Sequence, residues 1–427
     1  MAKQFICNTV QVRAALLLLA ICAHQSSFGQ LDALNLESAP VEPSTVRATA
    51  GDGLKVSIEA ALGLASRRFG SADRTSGRLS VDLNYSKALQ PNLRISLSDR
   101  IDALSTTETG KSDVIHSLRE AYLSWRVGAS EDLNFDAGRI NTRGGQGYGY
   151  SPTDFFREGS LRLITSADPV SNRQNRLGTV MLRAQSVWNA GSATLIWAPG
   201  FEKRRVDGGW SADFGATNHV DRLLLSSAVR ISEQSNAQFY LFKRGGRPVS
   251  LGVNASSLLS DMSTVHIEFT RGREPSILDQ IAQRPASTVT GNRLTAGLTY
   301  TAGTGTILTA EYFYNGFGAT DAVWSALGQG DQLTYLREAL RLQELVSRQG
   351  ALVHVTQKDL GLKGLDVSGY LKFNLGDRSS MLWIEARRRW TTDEVALQSY
   401  WANGSRTTEY GLLPESRKLQ LLWLHYY

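Results

Sequence analysis

The stretch GGQGYGYSPTDFF, Gly144–Phe156, sets Gly145, Gly147 and Gly149 at alternate positions. A glycine run of this density can cradle an anion on its backbone N–H groups. Phosphate cradles, however, keep fixed spacings, and this stretch supplies no GxGxxG. The chain also lacks GxxxxGK[ST], HExxH and GxSxG, so phosphate transfer, zinc hydrolysis and a nucleophile elbow lose their usual carriers. His116, His219, His266, His354 and His425 are scattered, which gives no ligand set for a metal. Ser263 and His266 could form a wall-mounted hydrolase pair, but two such residues three apart occur by chance. No cofactor is implied, and the reading is not an enzyme.

The charged residues are more informative. Lys55, Arg78, Arg94, Arg126, Arg183, Arg222, Arg230, Arg293, Lys372, Arg387 and Arg389 each fall on the polar side of an alternating segment. So do Glu59, Asp82, Glu120, Asp136, Glu268, Glu311, Asp366 and Glu385. Charges confined to one face of strands line a hydrated interior if the other face meets lipid, where each would cost about 2–4 kcal/mol at mid-bilayer.

The segments that carry them have a period of two. LKVSIEAALGL alternates Leu54, Val56, Ile58, Ala60, Leu62 and Leu64 with Lys55, Ser57, Glu59 and Gly63. RLSVDLNYSK, STVHIEFTR, RLTAGLTY and LDVSGYLKFNL repeat the pattern. Short joints at 90–92, 128–131, 189–192, 232–235, 258–261, 301–305 and 376–380 separate longer connections at 66–77, 101–116, 141–175, 200–219, 272–290, 316–349 and 391–416. Tight turns at one end and long loops at the other describe a transmembrane barrel. The fold predicted is all-β, an antiparallel up-and-down barrel over 54–427 with about sixteen strands. The stretch 351–364 is read as an extension of the fourteenth strand; as a separate hairpin it raises the count to eighteen. A β-sandwich is the rival, but globular strands average about 5–6 residues, shorter than these. Helical spacing of Leu333, Leu336, Leu340 and Leu345 predicts a loop helix over 331–350.

The N-terminus fixes the compartment. Lys3 and Arg13 precede AALLLLAICA and then Ser27-Phe28-Gly29, the layout of a secretory signal peptide cleaved after Gly29. Cys7 and Cys22 lie within it, so the mature chain has no disulfide. Residues 30–53 form an extended periplasmic leader, too short for a plug domain. Loss of Lys3 and Arg13 lowers the net charge from +6 to +4, too little to argue for nucleic acid. A mean hydropathy of −0.22 suits a soluble protein or a barrel equally well, so the period decides. Tyr85, Trp125, Trp188, Trp197, Tyr300, Tyr312, Tyr314, Trp383 and Trp390 fall near strand ends, as aromatic girdles require.

KLQLLWLHYY, ending on Trp423 and Tyr427, is similar to the C-terminal strand of bacterial outer-membrane barrels. There a terminal aromatic helps the assembly machinery recognise the chain. With loop 141–175 as third outer loop, the chain resembles the general porins of Gram-negative outer membranes, although their PEFGG loop signature is not present. The resemblance implies a loop folded into the lumen, with Gly145, Gly147 and Gly149 allowing sharp bends and Pro152 fixing a turn. It further implies that Asp154, Glu158 and Asp168 face Arg94, Arg126, Arg387 or Arg389 across a constriction. Small solutes, outer-membrane lipid, lipopolysaccharide and the assembly machinery would be its partners, and a homo-trimer its assembly. A polymer-export barrel similar to alginate-export proteins, and a closed structural or adhesive barrel, are the alternatives.

Overall fold

Leu62, Leu397 and Leu421 lie side by side on the outside of the molecule, half to two-thirds exposed. They belong to β1 (Gly53–Arg67), β17 (Asp393–Asn403) and β18 (Glu415–Tyr426). The pairing of the first strand with the last, from Ser57↔Tyr426 to Arg67↔Glu415, closes the sheet on itself. In the computed structural model, which describes residues 52–69, 73–106, 112–127, 132–206, 208–283 and 287–427, the sheet has eighteen antiparallel strands joined to their sequence neighbours. The predicted signal segment 1–29 and nearly all of the predicted leader 30–53 lie outside the described residues; Gly53 already belongs to β1.

Between those three strands run β2 (Arg74–Gln90), β3 (Leu93–Thr106), β4 (Ser112–Val127), β5 (Leu133–Ile140), β6 (Thr179–Trp188), β7 (Gly191–Ala198), β8 (Arg222–Arg230) and β9 (Ser235–Arg244). They continue with β10 (Ser250–Ser260), β11 (Ser263–Glu274), β12 (Val289–Thr301), β13 (Thr306–Asn315), β14 (Gln349–Gln357), β15 (Leu365–Asn374) and β16 (Ser380–Arg389). Eighteen is the upper of the two counts that the sequence allows. Residues 351–364 are not an extension: they hold most of β14 and the turn that leads to β15. The connection read as 391–416 contains β17, whose inward Ala396 and outward Ser399 blur the period. The short joints at 245–249 and 375–379 lie at the long-loop end, so loop length alone does not mark the side.

Closure leaves no strand edge unpaired, the condition for a backbone in hydrocarbon. The outward rows are apolar: Leu182, Leu195, Leu223, Leu225, Leu241, Leu251 and Ile267 are all exposed. Trp125, Trp188, Tyr300 and Trp423 ring the short-turn end, and Trp197 and Tyr312 sit near the opposite rim. Trp383 departs from the predicted girdle. It shares the inward alternation of Glu385 and Arg387, is 3% exposed and stacks on Tyr370 at 5.5 Å inside the barrel. β1–β4 have 14–17 residues, where about 9–11 tilted residues cross a bilayer, so this part of the wall projects beyond the membrane.

Among the described residues, the long connections carry five helices: α1 (Pro169–Gln174), α2 (Phe214–Thr217), α3 (Ile277–Ile281), α4 (Asp321–Ala326) and α5 (Gln329–Leu342). α5 buries Tyr335, Leu336, Ala339 and Leu342 in a small core with Ile277, Trp324 and Leu412. No helix among the described residues is long and apolar enough to cross a membrane. The leucine row gives a direct test of the lipid-facing assignment. Leu421→Arg is expected to destabilise the barrel by about 2–4 kcal/mol in urea titrations from lipid vesicles, and an unchanged midpoint would contradict it.

Candidate functional site: the loop laid across the lumen

Glu268 on β11 is fully buried on the inward face, and loop 141–178 wraps its carboxylate. Oε1 accepts from the N–H groups of Gln146 (2.6 Å) and Gly147 (2.5 Å). Oε2 accepts from Ser151 Oγ (2.8 Å), Thr153 N (3.2 Å) and Thr153 Oγ1 (2.6 Å). The inward Glu311 of β13 takes the next two amides, Tyr148 N at 2.6 Å and Gly149 N at 2.8 Å. The glycine stretch is thus an anion cradle whose anions are two carboxylates of the barrel wall. Each glycine is required. Gly145 has φ +80°, and a Cβ there would collide with Ser151 and the Glu268 carboxylate. A Cβ on Gly147 would strike the Tyr150 carbonyl, and one on Gly149 would lie 2.7 Å from the Phe313 ring. Pro152 presets the turn in which Asp154 N–H donates to the Ser151 carbonyl.

From this double anchor the loop reaches the rest of the wall. Phe155 stacks on Phe242 of β9 at 4.6 Å, and Phe156 enters a cluster with Met181, Ile196 and Leu224 of β6–β8. Tyr150 packs on Phe313, Leu352 and Trp383. Tyr370 of β15 donates to the Ala167 carbonyl (2.9 Å), and Arg78 of β2 to the Thr165 carbonyl (3.1 Å). Arg119 of β4 donates to Asn175 (3.1 Å). A loop fixed on β2, β4, β9, β11, β13 and β15 crosses the lumen rather than hanging over it.

The loop acids fold the loop instead of facing the predicted arginines. Asp154 pairs with Arg176 of the same loop, both buried. Asp168 caps α1, accepting from Val170 N and Ser171 N, and takes the Tyr148 hydroxyl at 3.0 Å. Glu158 pairs with Arg244 and with Arg341 of α5. Burial alone would raise the Glu158 pKa, but those two guanidiniums more than offset it and hold the carboxyl well below its usual range. Arg157 meets Glu344 at 2.5 Å and the Tyr150 hydroxyl donates to the same carboxylate at 2.6 Å, so loop 141–178 is latched both to α5 and to the loop that follows it. Arg94, Arg126, Arg387 and Arg389 lie at the short-turn ends of β3, β4 and β16, away from these acids. Arg94 meets Asp52, Arg387 meets Glu385 and Glu394, and Arg389 meets Asp366.

The other predicted wall charges take the inward alternation and mostly pair. Arg183 meets Asp136 at 2.7 Å; Arg293 meets Glu274 and Glu344; Lys372 lies over the Phe313 ring. Glu120 is half-buried on β4 and Lys55 sits near the short-turn end of β1. On β1–β4 the pairs merge. Arg78 meets Glu59, Arg119 meets Asp82, and Arg100 reaches Glu59 (3.0 Å), Asp82 (3.3 Å) and Asp102 (3.0 Å). Three guanidiniums against three carboxylates leave this strip near neutral. The sequence reading missed Asp102 because it assigned 101–116 to a loop, with Arg100 at its edge, and Arg119 because it is the extra residue of a β4 bulge opposite Ser98/Asp99. The continuing Arg100–Asp102 alternation was the available signal.

Between the loop and the outer half of β15–β18 remains a cavity of about 460 Å³. Glu409, in the connection 404–414, lines it and accepts from Asn374 Nδ2 at 2.8 Å. Burial raises its pKa and neighbouring Asp377 adds to this, against the opposing pull of Lys372, to about 7. A carboxyl raised in the folded state stabilises the loop most below its unfolded pKa, near 4.3, and this contribution is lost as pH rises through about 7. Limited proteolysis of 404–414 is therefore expected to be faster at pH 8 than at pH 5. Glu409→Gln should remove the difference, and an identical pH response in that variant would contradict this assignment.

An even-stranded closed barrel with an apolar belt, aromatic girdles, a charged lumen and a loop laid across it defines an outer-membrane β-barrel with the architecture of a porin. Comparison with solved structures agrees on the fold. OccK5 (OpdH) of Pseudomonas aeruginosa superposes with TM-score 0.52 at 11% identity, over 88% of this chain and 98% of that one. OccAB1 of Acinetobacter baumannii gives TM-score 0.55 at 11% identity, over 88% and 96%. OccK2 (OpdF) of Pseudomonas aeruginosa, solved in complex with glucuronate, gives 0.51 at 9%, over 88% and 97%. No protein-family model matches the chain, and no curated protein matches it.

Proposed function

We propose that this protein is a porin-like channel that lets small polar or charged solutes cross the outer membrane, with loop 141–178 as its constriction. The observation that carries this reading is the anchoring of the loop on Glu268 and Glu311, which holds it across the lumen while a cavity stays open beside β15–β18. A barrel of this size encloses an aqueous lumen unless it is filled, and here the filling is partial. The glucuronate complex of OccK2 supports solutes of that size as cargo. Polymer export is less well supported, because the loop crosses the path and the wall charges are balanced rather than basic. No catalytic role is proposed. Outer-membrane lipid and lipopolysaccharide would surround the barrel, the assembly machinery would read the strand ending on Trp423 and Tyr427, and a homo-trimer is the assembly to test. Liposome swelling tests the channel: monosaccharides should enter and long oligosaccharides should not. Absence of swelling by any sugar would contradict the proposal.

A further inference from the structure

We propose that the cavity between loop 141–178 and the β15–β18 wall is a docking site for solutes that carry a ring-sized apolar body beside a hydroxylated group. The inference rests on the channel reading and refines it. A path built only to pass hydrated solutes would be lined by polar side chains. This cavity instead sets, within a lining that also holds charged and polar residues, apolar groups that converge from three separate segments. Ile164 of the crossing loop is 56% exposed and Leu340 of α5 is 47% exposed, and both border the same space. Leu413, from the connection 404–414, joins them half-buried.

Single apolar side chains on a surface are ordinary, whereas three meeting in one concavity form a site. The wall behind them is aromatic, with Tyr370 and Trp383 stacked and lining the cavity. Arg157, Arg173, Arg176, Lys372, Lys418 and Glu409 are among the charged residues of the lining, so a bound molecule has both an apolar and a polar surface to meet. The volume of about 460 Å³ falls in the range of roughly 300–1,000 Å³ typical of small-molecule sites. A fully hydroxylated solute would leave the leucines and isoleucine unmatched, while a flat ring would cover them.

Phenyl β-D-glucoside and methyl β-D-glucoside share the sugar head and differ in the apolar body, so they isolate the claim. Calorimetric titration of the folded barrel in detergent should show phenyl glucoside binding on the order of tenfold more tightly. Ile164→Asn with Leu340→Gln should bring the two glucosides to similar affinity. Both side chains are already exposed, and retained heat-modifiability would show that the variant folds; Leu340→Gln alone should give an intermediate result. Equal affinity of the wild-type barrel for both glucosides, or no binding of either, would overturn the site. Bilayer recordings keep the two readings apart. Conductance without the preference leaves the channel standing and removes the docking site, whereas the preference without conductance keeps the site and removes the channel.

Discussion

Glu268→Ala is expected to raise the open conductance severalfold and to make the current noisy, because it frees the end of the loop that folds onto the β11–β13 wall. Alanine leaves the amides of Gln146, Gly147 and Thr153 and the hydroxyls of Ser151 and Thr153 without the acceptor they now share. Each buried donor left unpaired costs about 1–3 kcal/mol, enough in sum to loosen this end of the loop, which then keeps the Glu311 pair and the packing of Tyr150 on Phe313, Leu352 and Trp383. The barrel itself should persist, since its ladder does not pass through the loop. Glu268→Gln keeps the shape but turns an N–H₂ toward donors, and an intermediate conductance is expected. Deleting 144–156 should give the largest conductance. Wild-type conductance and noise in Glu268→Ala, measured on a heat-modifiable barrel, would show that the loop stays in place without its anchor.

Arg100→Met should act on stability and ion preference together. The guanidinium touches Glu59, Asp82 and Asp102, and it is 6% exposed. Removing one partner of a buried charge cluster costs about 3–5 kcal/mol, because the remaining charges stay desolvated and uncompensated. Urea unfolding from lipid vesicles should show that loss. The strip would then hold three carboxylates against Arg78 and Arg119, and reversal potentials at ~0.1 M salt, where the Debye length is ~10 Å, should move toward cations. Arg100→Lys keeps the charge but not the forked geometry and should recover the ion preference more than the stability. Unchanged unfolding and unchanged reversal potential in Arg100→Met would place the strip outside both roles.

Much of the barrel was legible because a lipid-facing wall writes its period into the chain. The row Leu54 to Leu64 and the final row through Trp423 are outward in the structure as in the sequence. Legibility fell where the period is interrupted. The β4 bulge opposite Ser98/Asp99 took Arg119 out of register, the upper half of β3 with Asp102 was read as loop although its alternation continues, and the small and polar residues of β17 made a strand look like loop. Trp383 misled because an aromatic suits a girdle or a lumen equally, and only its parity with Glu385 and Arg387 decides. At the loop, the glycine spacing spoke against a phosphate cradle and for sharp bends, and the cradle that the loop does form holds two carboxylates. That the anions are Glu268 and Glu311, more than a hundred residues away, depends on closure of the whole sheet, which no local pattern encodes. Distance along the chain also separates Glu158 from Arg244 and Arg341, whereas Asp154 and Asp168 find their partners, Arg176 and the first turn of α1, within the same loop, where only its fold brings them together.

Single-channel recording of the purified wild-type protein in a planar bilayer tests the central claim most directly. The structure predicts discrete, ohmic steps from each inserted barrel, smaller than those of the 144–156 deletion. A folded, heat-modifiable protein that inserts and yet gives no steps, with or without the loop, would contradict the channel.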